Sequence, residues 1–557
     1  MPSPRHPRFA SRAFIAPLAS LALAACATAA TPPAAPRTDS SGDTTAAASP
    51  PGPPPRLIVF LTIDQLRPDY LERWNDQLTG GLGRLWREGA VFAYALHDHA
   101  ITQTAPGHAS IGSGRFPART GIVLNDEGVG DPQAPLIASR EGGASPYRFR
   151  GSALIDWLRD DDPRARALGV SRKDRGAILP LGRAKQPAFW YTPDEGFTTS
   201  RYYADTLPAW VRDFNRRHPL SGFASRDWWP ARPASDYAEP DTVALEHQGR
   251  DFVFPHRLPA EQPRLGQELR EVPWMDSLTV LLALEGVRAL DLGAGPQTDL
   301  LNLSLSTMDA VGHRYGPDSR EAHDMVLRVD RYVGMLLDSL AALRGAEHIA
   351  LALSADHGVA PLPGARSRDP NADAVFLNDT AIVGPIRRAL VARGAPRTAL
   401  RLDGGMVRID RAALLQAGVA PDSLVDVVRR TLLATPGIAR VDTPADLARA
   451  DTVRDHIARR WLHMLPPDEP VALVASARPY AVWSRGRTAN HGTPNEYDAR
   501  VPLILFGRWF RAGHLGHPAR VVDIAPTLAA VARVRPTERV DGRVLREALA
   551  PDTVRTP

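Results

Sequence analysis

The sequence predicts an α/β fold whose central, mostly parallel sheet carries helices on both faces. Four apolar runs lack the polar alternation of half-exposed strands and are typical of strands buried on both sides; they cover residues 57–61, 300–305, 349–353 and 501–506. Residues 320–343, between the second and third runs, repeat apolar side chains at helical spacing. Three of the four runs are followed within four residues by an Asp. Ligand sites of parallel sheets lie beyond such strand ends.

Two stretches interrupt this alternation. Residues 127–290 are rich in Trp, Tyr, Pro and charged residues, and they predict a cap inserted into the fold. Residues 400–480 carry strand and helix patterns of their own and predict a small α+β insertion. The catalytic domain that holds both insertions is predicted to span residues 56–550.

The first 25 residues predict a secretory signal peptide. Arg5, Arg8 and Arg12 precede an apolar segment that is too short to cross a bilayer as a stable helix. The segment ends at Leu23-Ala24-Ala25-Cys26, which resembles the bacterial lipobox and predicts cleavage before Cys26 and lipidation of its thiol. An ordinary cleaved signal is the alternative. Residues 26–55, dominated by Ala, Thr, Pro, Ser and Gly, predict an extended tether.

These N-terminal features predict a periplasmic or cell-envelope protein held by a lipid anchor, and Ala27 is compatible with sorting to the outer membrane. Cys26 is the only cysteine, so the chain can form no intramolecular disulfide. The formal net charge is +5, and three of the positive charges lie in the leader. This net positive charge is too small to indicate nucleic acid as a partner. The glycines of residues 80–83 match neither a GxGxxG fingerprint nor a P-loop and predict a turn. No feature indicates an oligomeric state.

Six short segments carry the residues that predict the function. They contain Asp64, Thr104, Lys173 with Arg175, Asp309 with His313, Asp356 with His357, and His491. Three Asp, three His and one Thr hydroxyl suffice for two adjacent divalent metals with an activated alcohol between them, which is the arrangement of a phosphoryl-transfer site. Asp and His ligands without Cys favour zinc, and manganese, iron or cobalt are possible.

The metal-ligand segments are informative as a set. The spacing of Asp309 and His313 lets both side chains face one ion, and Asp356 and His357 can converge if they lie on a turn beyond a strand. Each pair alone is a weak signal, because surface Asp and His residues are frequent. His491 alone would more often be structural. All of them in this order, mostly beside strand ends, make a specific pattern.

Thr104 is the candidate nucleophile. It precedes Ala105 and Pro106, and Pro is favoured in the first turn of a helix, so residues 105–113 are predicted to be helical. The positive end of that helix, together with a metal, would stabilise an alkoxide on Thr104. The competing interpretation is that Thr104 only caps the helix.

Lys173 and Arg175 are the candidate phosphate-binding cations. The chain has only two lysines, Lys173 and Lys185, against a large excess of Arg. The compact charge of Lys and the planar fork of Arg could together hold a phosphoryl group, although a solvated charge cluster would read the same way. Asn125, located 21 residues after Thr104, could donate to a third phosphate oxygen or could simply be a turn residue.

With these residues in place, the sequence from about residue 56 to 534 resembles the alkaline phosphatase superfamily, and within it the PafA-type phosphatases and the related nucleotide pyrophosphatase/phosphodiesterases. The resemblance implies an alkaline-phosphatase-like fold and two Zn²⁺ ions. It implies one zinc on Asp309, His313 and His491 and the other on Asp64, Asp356 and His357. It also implies that Thr104 becomes phosphorylated and that Asn125, Lys173 and Arg175 contact the non-bridging phosphate oxygens.

The sequence therefore predicts a phosphatase that hydrolyses phosphate monoesters of small molecules. A phosphodiesterase or nucleotide pyrophosphatase with the same metals and nucleophile is the main alternative. A lipid-tethered protein that binds metal without turnover is a third reading. A sulfatase is disfavoured, because its formylglycine derives from Cys or Ser and not from Thr. Aromatic residues from Trp190 to Trp228 could line the substrate entrance or could form the core of the cap.

Overall fold

The computed structural model describes residues 52–139, 142–364, 375–484, 486 and 488–551. The predicted signal peptide, Cys26 and most of the predicted tether lie outside these residues. Within them, none of the helices combines the length and the apolar character needed to traverse a bilayer.

Strands and helices alternate along the chain. In chain order the strands are β1 (Leu57–Ile63), β2 (Ala90–Leu96), β3 (Gly130–Pro135), β4 (Gly143–Ala144), β5 (Ala167–Ser171), β6 (Ala188–Thr192), β7 (Gly196–Thr198), β8 (Asp227–Trp228), β9 (His256–Arg257), β10 (Asp299–Leu305), β11 (Ile349–Ser354), β12 (Val375–Leu377), β13 (Leu400–Asp403), β14 (Met406–Ile409), β15 (Ile438–Asp442), β16 (Val471–Ala477), β17 (Ala481–Trp483), β18 (Leu503–Phe506) and β19 (Gly513–Arg520). The α-helices are α1 (Pro68–Arg73), α2 (Gly81–Glu88), α3 (Thr104–Ser113), α4 (Pro117–Thr120), α5 (Leu154–Asp161), α6 (Asp174–Ile178), α7 (Ala209–Arg217), α8 (Arg264–Leu269), α9 (Trp274–Ala289), α10 (Thr307–Tyr315), α11 (Arg320–Arg344), α12 (Asp379–Ala392), α13 (Arg411–Gln416), α14 (Pro421–Leu433), α15 (Pro444–Arg449), α16 (His456–Met464), α17 (Glu496–Ala499) and α18 (Ile524–Ala532).

A nine-stranded sheet forms the centre, in the order β19-β2-β18-β11-β1-β10-β5-β6-β7. Its middle is parallel: β1 lies between β10 and β11, and β5 and β6 continue in the same direction. Every residue of β1, β10 and β11 is buried, as expected for strands covered on both faces. The predicted α/β class with a mostly parallel sheet is confirmed. One predicted strand, residues 501–506, forms β18 and runs antiparallel to both of its neighbours.

A second, antiparallel sheet lies in the C-terminal half of the chain, in the order β13-β14-β16-β15. Apolar residues from this sheet and from α12 and α14 form a separate core cluster. In the stretch predicted as a cap, β5, β6 and β7 belong to the central sheet, so only part of residues 127–290 lies outside that sheet. The exact limits of the cap and of the α+β insertion stay predictions.

Candidate active site

The central sheet brings three carboxylates to one edge. Thr62 in β1 pairs with Ser304 in β10 and with Ser354 in β11, so the three strands end level with one another. The segments that follow carry the candidate ligands Asp64, Asp309 and Asp356, which are 0%, 5% and 0% exposed. Register alone therefore collects three buried carboxylates from distant parts of the chain.

One cluster consists of Asp309, His313 and His491. Asp309 and His313 lie one turn apart on α10, and His313 Nε2 is 3.1 Å from Asp309 Oδ1. His491 Nε2 lies 3.7 Å from the same oxygen. The Nδ1 atoms of His313 and His491 donate to the carbonyls of Ala489 and Thr102, each at 2.7 Å. These bonds fix both rings so that their Nε2 lone pairs face Asp309, which is the orientation a metal ligand needs.

A second cluster surrounds Asp64 and Asp356. His357 Nε2 lies 3.4 Å from Asp64 Oδ1 and 3.5 Å from Asp356 Oδ2. The structure adds His108, whose Nε2 is 3.7 Å from Asp356 Oδ2 and which sequence reasoning did not include among the ligands. Gln65 links the two clusters: its side chain donates to Asp309 at 2.8 Å and its main-chain N–H donates to Asp356 at 3.1 Å.

The arrangement of these donor atoms fits divalent metals. Three groups have ligand atoms within 4.8 Å of one another: Asp309 with His313 and His491, Asp64 with His108 and Asp356, and Asp64 with Asp309 and His357. Asp356 Oδ2 is buried and has no hydrogen-bond partner among the described residues. Burial and the neighbouring Asp64 raise the pKa of Asp356 well above its usual value. A buried carboxylate oxygen without a hydrogen-bond partner, beside two other carboxylates, favours a bound cation, and carboxylate and imidazole donors suit zinc-like ions.

Thr104 lies beside His357 of the second cluster. It is the first residue of α3, a helix in which every residue is buried, and the side chain of the N-cap residue Gln103 makes no capping hydrogen bond. Thr104 Oγ1 lies 3.3 Å from Lys173 Nζ and 3.5 Å from His357 Nε2. The position places the hydroxyl at the positive end of α3. In the structure, then, the hydroxyl faces the clusters and does not cap the helix.

Lys173 lies at the centre of the site and is 7% exposed. Its Nζ is 2.6 Å from Asp64 Oδ2 and 2.6 Å from Asp309 Oδ2. Burial raises the pKa of Asp309, but Lys173 and His313 outweigh burial and hold that pKa well below its usual value. Burial and Asp309 likewise raise the pKa of Asp64, and Lys173 with His357 brings it below the ordinary value. The ammonium group of Lys173 therefore favours the ionised form of both carboxylates, which is the form that binds a cation.

Asn125 and Arg175 lie around this centre. Asn125 Oδ1 accepts a 2.8 Å hydrogen bond from the N–H of Ala105, so the amide is fixed beside Thr104 by its acceptor end. Arg175, on α6, lines a cavity of about 620 Å³ together with Lys173, Asp309 and His313. Trp190 and Tyr191 line the same cavity, whereas Asn125 is not among its described lining residues.

The structure thus brings together all the sequence-predicted site residues that it describes, with Asn125 and Arg175 at the periphery. It also adds Gln65 and His108. His108 could have been found from the sequence, because it follows Thr104 by four residues on a predicted helix and so shares its face. Gln65 follows Asp64 directly, and no spacing signal marks it.

Comparison with known proteins identifies the family. Residues 58–413, more than half of the chain, match the family model described as type I phosphodiesterase / nucleotide pyrophosphatase. The chain belongs to this family.

Two curated relatives are alkaline phosphatases. The chain is 26% identical to alkaline phosphatase PafA from Elizabethkingia meningoseptica, over 89% of this chain and 94% of that protein. It is 28% identical to alkaline phosphatase PhoV from Synechococcus elongatus, over 89% and 93% of the two chains. The crystal structure of PafA superimposes with a TM-score of 0.81 at 25% identity, covering 90% of this chain and 100% of PafA. A PafA variant in which one Thr, one Asn, one Lys and one Arg are replaced superimposes with a TM-score of 0.80.

These matches confirm the predicted resemblance to PafA-type phosphatases and the alkaline-phosphatase-like fold. The protein is a phosphatase of the alkaline phosphatase type. Its carboxylate and imidazole clusters are candidate sites for a divalent metal.

Proposed function

We propose that the protein hydrolyses phosphate monoesters of small molecules through a phosphothreonine formed on Thr104 at a two-zinc site. The observation that carries the proposal is the position of the Thr104 hydroxyl, which lies 3.3 Å from Lys173 Nζ and 3.5 Å from Nε2 of the candidate ligand His357. A buried alcohol surrounded by metal-type ligands and a cation is suited to attack a phosphoester.

In this proposal, Asp309, His313 and His491 hold one zinc, and Asp64, Asp356 and His357 hold the other. His108 lies close enough to Asp356 to support the second set, at 3.7 Å. When bound, the two ions would supply Lewis-acid stabilisation of the attacking and leaving oxygens. The carbonyl contacts at Nδ1 of His313 and His491 support these assignments, because they leave Nε2 free to bind.

The chemistry proceeds on Thr104. The Thr104 hydroxyl gives up its proton, its oxygen attacks phosphorus, the bond to the leaving oxygen breaks, and the released alkoxide takes up a proton. Water then attacks phosphorus, the bond between phosphorus and Thr104 breaks, a proton from the water returns to the Thr104 oxygen, and inorganic phosphate is released. The N-terminal N–H groups of α3 favour negative charge on the Thr104 oxygen. Lys173, Arg175 and the donor end of the Asn125 amide stabilise the non-bridging oxygens as charge builds up.

The substrate preference follows from charge. Lys173 and Arg175 offer two cations, which match the two unesterified oxygens of a monoester dianion better than the single charge of a diester. The match to the phosphodiesterase family model favours a second candidate function, phosphodiester or pyrophosphate hydrolysis. The discriminating experiment compares p-nitrophenyl phosphate with bis-p-nitrophenyl phosphate on the purified, zinc-loaded protein. We expect a higher kcat/KM for the monoester, and a higher value for the diester would favour the second candidate.

Replacement of Lys173 tests the same assignment. Lys173→Ala should lower kcat/KM for p-nitrophenyl phosphate by about 100-fold or more, because one donor to the transition-state charge is lost. Lys185→Ala is the matched control: Lys185 is the other lysine of the chain, is exposed and lies 5.3 Å from the Tyr202 ring. The monoester-specific role of Lys173 is wrong if diester hydrolysis falls by the same factor.

We also propose that the enzyme acts outside the cytoplasm, anchored by a lipid on Cys26. The support is the leader followed by Leu-Ala-Ala-Cys and by a tether rich in Pro and Ala. Cells supplied with labelled palmitate should incorporate label into the wild-type protein and not into Cys26→Ser. Equal labelling of the two proteins would exclude this anchor.

A further inference from the structure

We propose that the active-site cavity binds a second phosphate of the substrate, so that preferred substrates are phosphate monoesters whose leaving group carries another phosphate. The inference rests on the monoesterase function proposed above and adds the class of leaving group. It depends on three arginines of the cavity wall, Arg172, Arg250 and Arg270, to which the proposed phosphoryl-transfer chemistry assigns no role.

The cavity has an excess of positive charge. Its charged lining residues are the cations Arg172, Lys173, Arg175, Arg250, Arg270 and Arg314 and the acids Asp174, Glu271 and Asp309. Arg314 is neutralised locally, because it pairs with Glu268 at 2.8 Å and also with Glu271. Arg172, Arg250 and Arg270 have no carboxylate partner within 4.0 Å in the part of the chain that the structure describes. These three side chains are therefore available to an anionic ligand.

Arg172 is the best defined of the three. It is only 6% exposed, and its Nη2 donates to the carbonyl of Ser306 at 3.1 Å. Its Nε is buried and has no hydrogen-bond partner among the described residues. Burial and the nearby charge of Arg270 lower the pKa of Arg172, and the opposing effects of Asp309 and Asp64 do not restore it. A buried cation with an unused donor beside a second cation is a favourable place for an anion.

Arg270 completes this pair. It follows α8, is partly buried, and its Nη1 makes a 3.4 Å contact with Gln267 Oε1. Arg250 lies on an exposed loop at the same cavity. The planar guanidinium group of an arginine can donate two parallel hydrogen bonds to two oxygens of one phosphate. These residues therefore suit a phosphate better than a neutral hydroxyl.

The second site is separate from the phosphoryl-transfer centre. Arg172 and Lys173 are consecutive residues beyond β5, but Lys173 Nζ contacts Asp64 and Asp309 whereas Arg172 contacts the main chain of Ser306. Trp190 and Tyr191, on β6, line the same cavity and offer ring surfaces to the organic part of the leaving group. A substrate with two phosphates could thus be held at both of its charged ends.

The test compares glucose 1-phosphate with glucose 1,6-bisphosphate, which differ only by the second phosphate. For the wild-type enzyme we expect kcat/KM to be about tenfold higher for the bisphosphate, beyond the factor of about two that two reactive phosphates allow, because a charged hydrogen-bonded contact changes affinity by about that amount. In Arg270→Gln and in Arg172→Gln this ratio should fall to about two. Arg264→Gln is the matched control, because Arg264 is the exposed first residue of helix α8, which Arg270 follows; this variant should keep the wild-type ratio.

The possible outcomes separate the two proposals. A wild-type enzyme that hydrolyses both substrates without preference overturns the second phosphate site and leaves the monoesterase function intact. A protein that hydrolyses neither substrate overturns the monoesterase function itself. If Arg172→Gln does not fold, Arg270→Gln alone decides, and an unchanged ratio in that variant overturns the assignment.

Discussion

The hydroxyl of Thr104 is buried but weakly bonded. Thr104 is 1% exposed, and its Oγ1 is 3.3 Å from Lys173 and 3.5 Å from His357, which are long contacts for a buried group. A buried hydroxyl without a close partner costs free energy of folding. A destabilising group of this kind is typical of active sites, so we interpret the Thr104 hydroxyl as a catalytic group and not as a stabilising one.

Thr104→Val tests that interpretation, because valine keeps the shape of the side chain and replaces the hydroxyl with a methyl group. We expect kcat/KM for p-nitrophenyl phosphate to fall by at least about 10³-fold, as is usual when a nucleophile is removed. The melting temperature, measured by calorimetry, should change little.

The matched control is Thr199→Val, since the Thr199 hydroxyl is also buried and has no partner among the described residues. That variant should keep its activity. Phosphatase turnover that survives in Thr104→Val would exclude Thr104 as the nucleophile.

Three buried carboxylates lie in the site, and the ammonium group of Lys173 contacts two of them. Lys173 contacts Asp64 and Asp309, and the pKa values of both lie below the ordinary range. Burial and the charge of Asp64 instead raise the pKa of Asp356. One lysine therefore does not compensate all three carboxylates, which is the electrostatic reason to expect bound cations.

Helix α3 packs unusually close to the loop after β11. A Cβ added to Gly107 would overlap the main-chain oxygen of Asp356, so only glycine allows this approach. The contact fixes the distance between the helix that carries Thr104 and the turn that carries Asp356 and His357.

Gly107→Ala should therefore separate the nucleophile from the metal ligands. We expect the free energy of unfolding to fall by about 1–3 kcal/mol, the range for overpacking. We also expect kcat/KM to fall, and this fall should come more from a lower kcat than from a higher KM. Denaturant unfolding and steady-state kinetics measure the two effects. Gly130→Ala is the control, because a Cβ at Gly130 would meet no atom within 4 Å. Full activity in Gly107→Ala would show that this close approach does not position the site.

The elements that sequence reasoning predicted well carry strong local signals. Helix α11 was predicted at residues 320–343 and spans Arg320–Arg344, because it has a continuous apolar face and begins where the Ser319 side chain accepts from the N–H of Ala322. Strand β19 was not predicted. It lies at one edge of the sheet and contains two Gly, one Pro and two His, so it lacks an apolar pattern. The antiparallel direction of β18 depends on chain connections that no local pattern reveals.

For the site, strand ends were a sufficient guide to the carboxylates. Asp64, Asp309 and Asp356 follow apolar runs, and parallel pairing places such ends together. The bridge made by Gln65 depends on a side-chain direction in the folded chain, and the composition of its segment does not encode it. The excess of positive charge in the cavity is likewise not predictable from the sequence, because Arg172, Arg250 and Arg270 come together only in the folded chain.

For the whole molecule, metal binding should couple to stability. Each ion present at about 100 times its Kd would add about 2.7 kcal/mol, and two such ions would raise the melting temperature by about 5 °C. Removal of metal with a chelator should lower the melting temperature and abolish phosphatase activity, and added zinc should restore both. Metal analysis should find two zinc ions per chain, and a stoichiometry of one would contradict the two-metal proposal.

His313→Ala provides the comparison for that experiment. His313 is partly exposed on α10, so its removal should perturb the fold little, but it takes away one proposed ligand. The increase in melting temperature on adding zinc should be smaller in this variant. An increase equal to that of the wild-type protein would exclude His313 as a ligand.

The wall of the active-site cavity comes from separate parts of the chain. Lys173 and Asp309 lie just beyond strands of the sheet, whereas Arg250 and Arg270 come from connections between short elements. Connections on a surface tolerate change far better than buried strand ends do. Descendants of this sequence could therefore evolve new substrate preferences by changes at a few loop positions, while natural selection keeps the hydrolytic core intact.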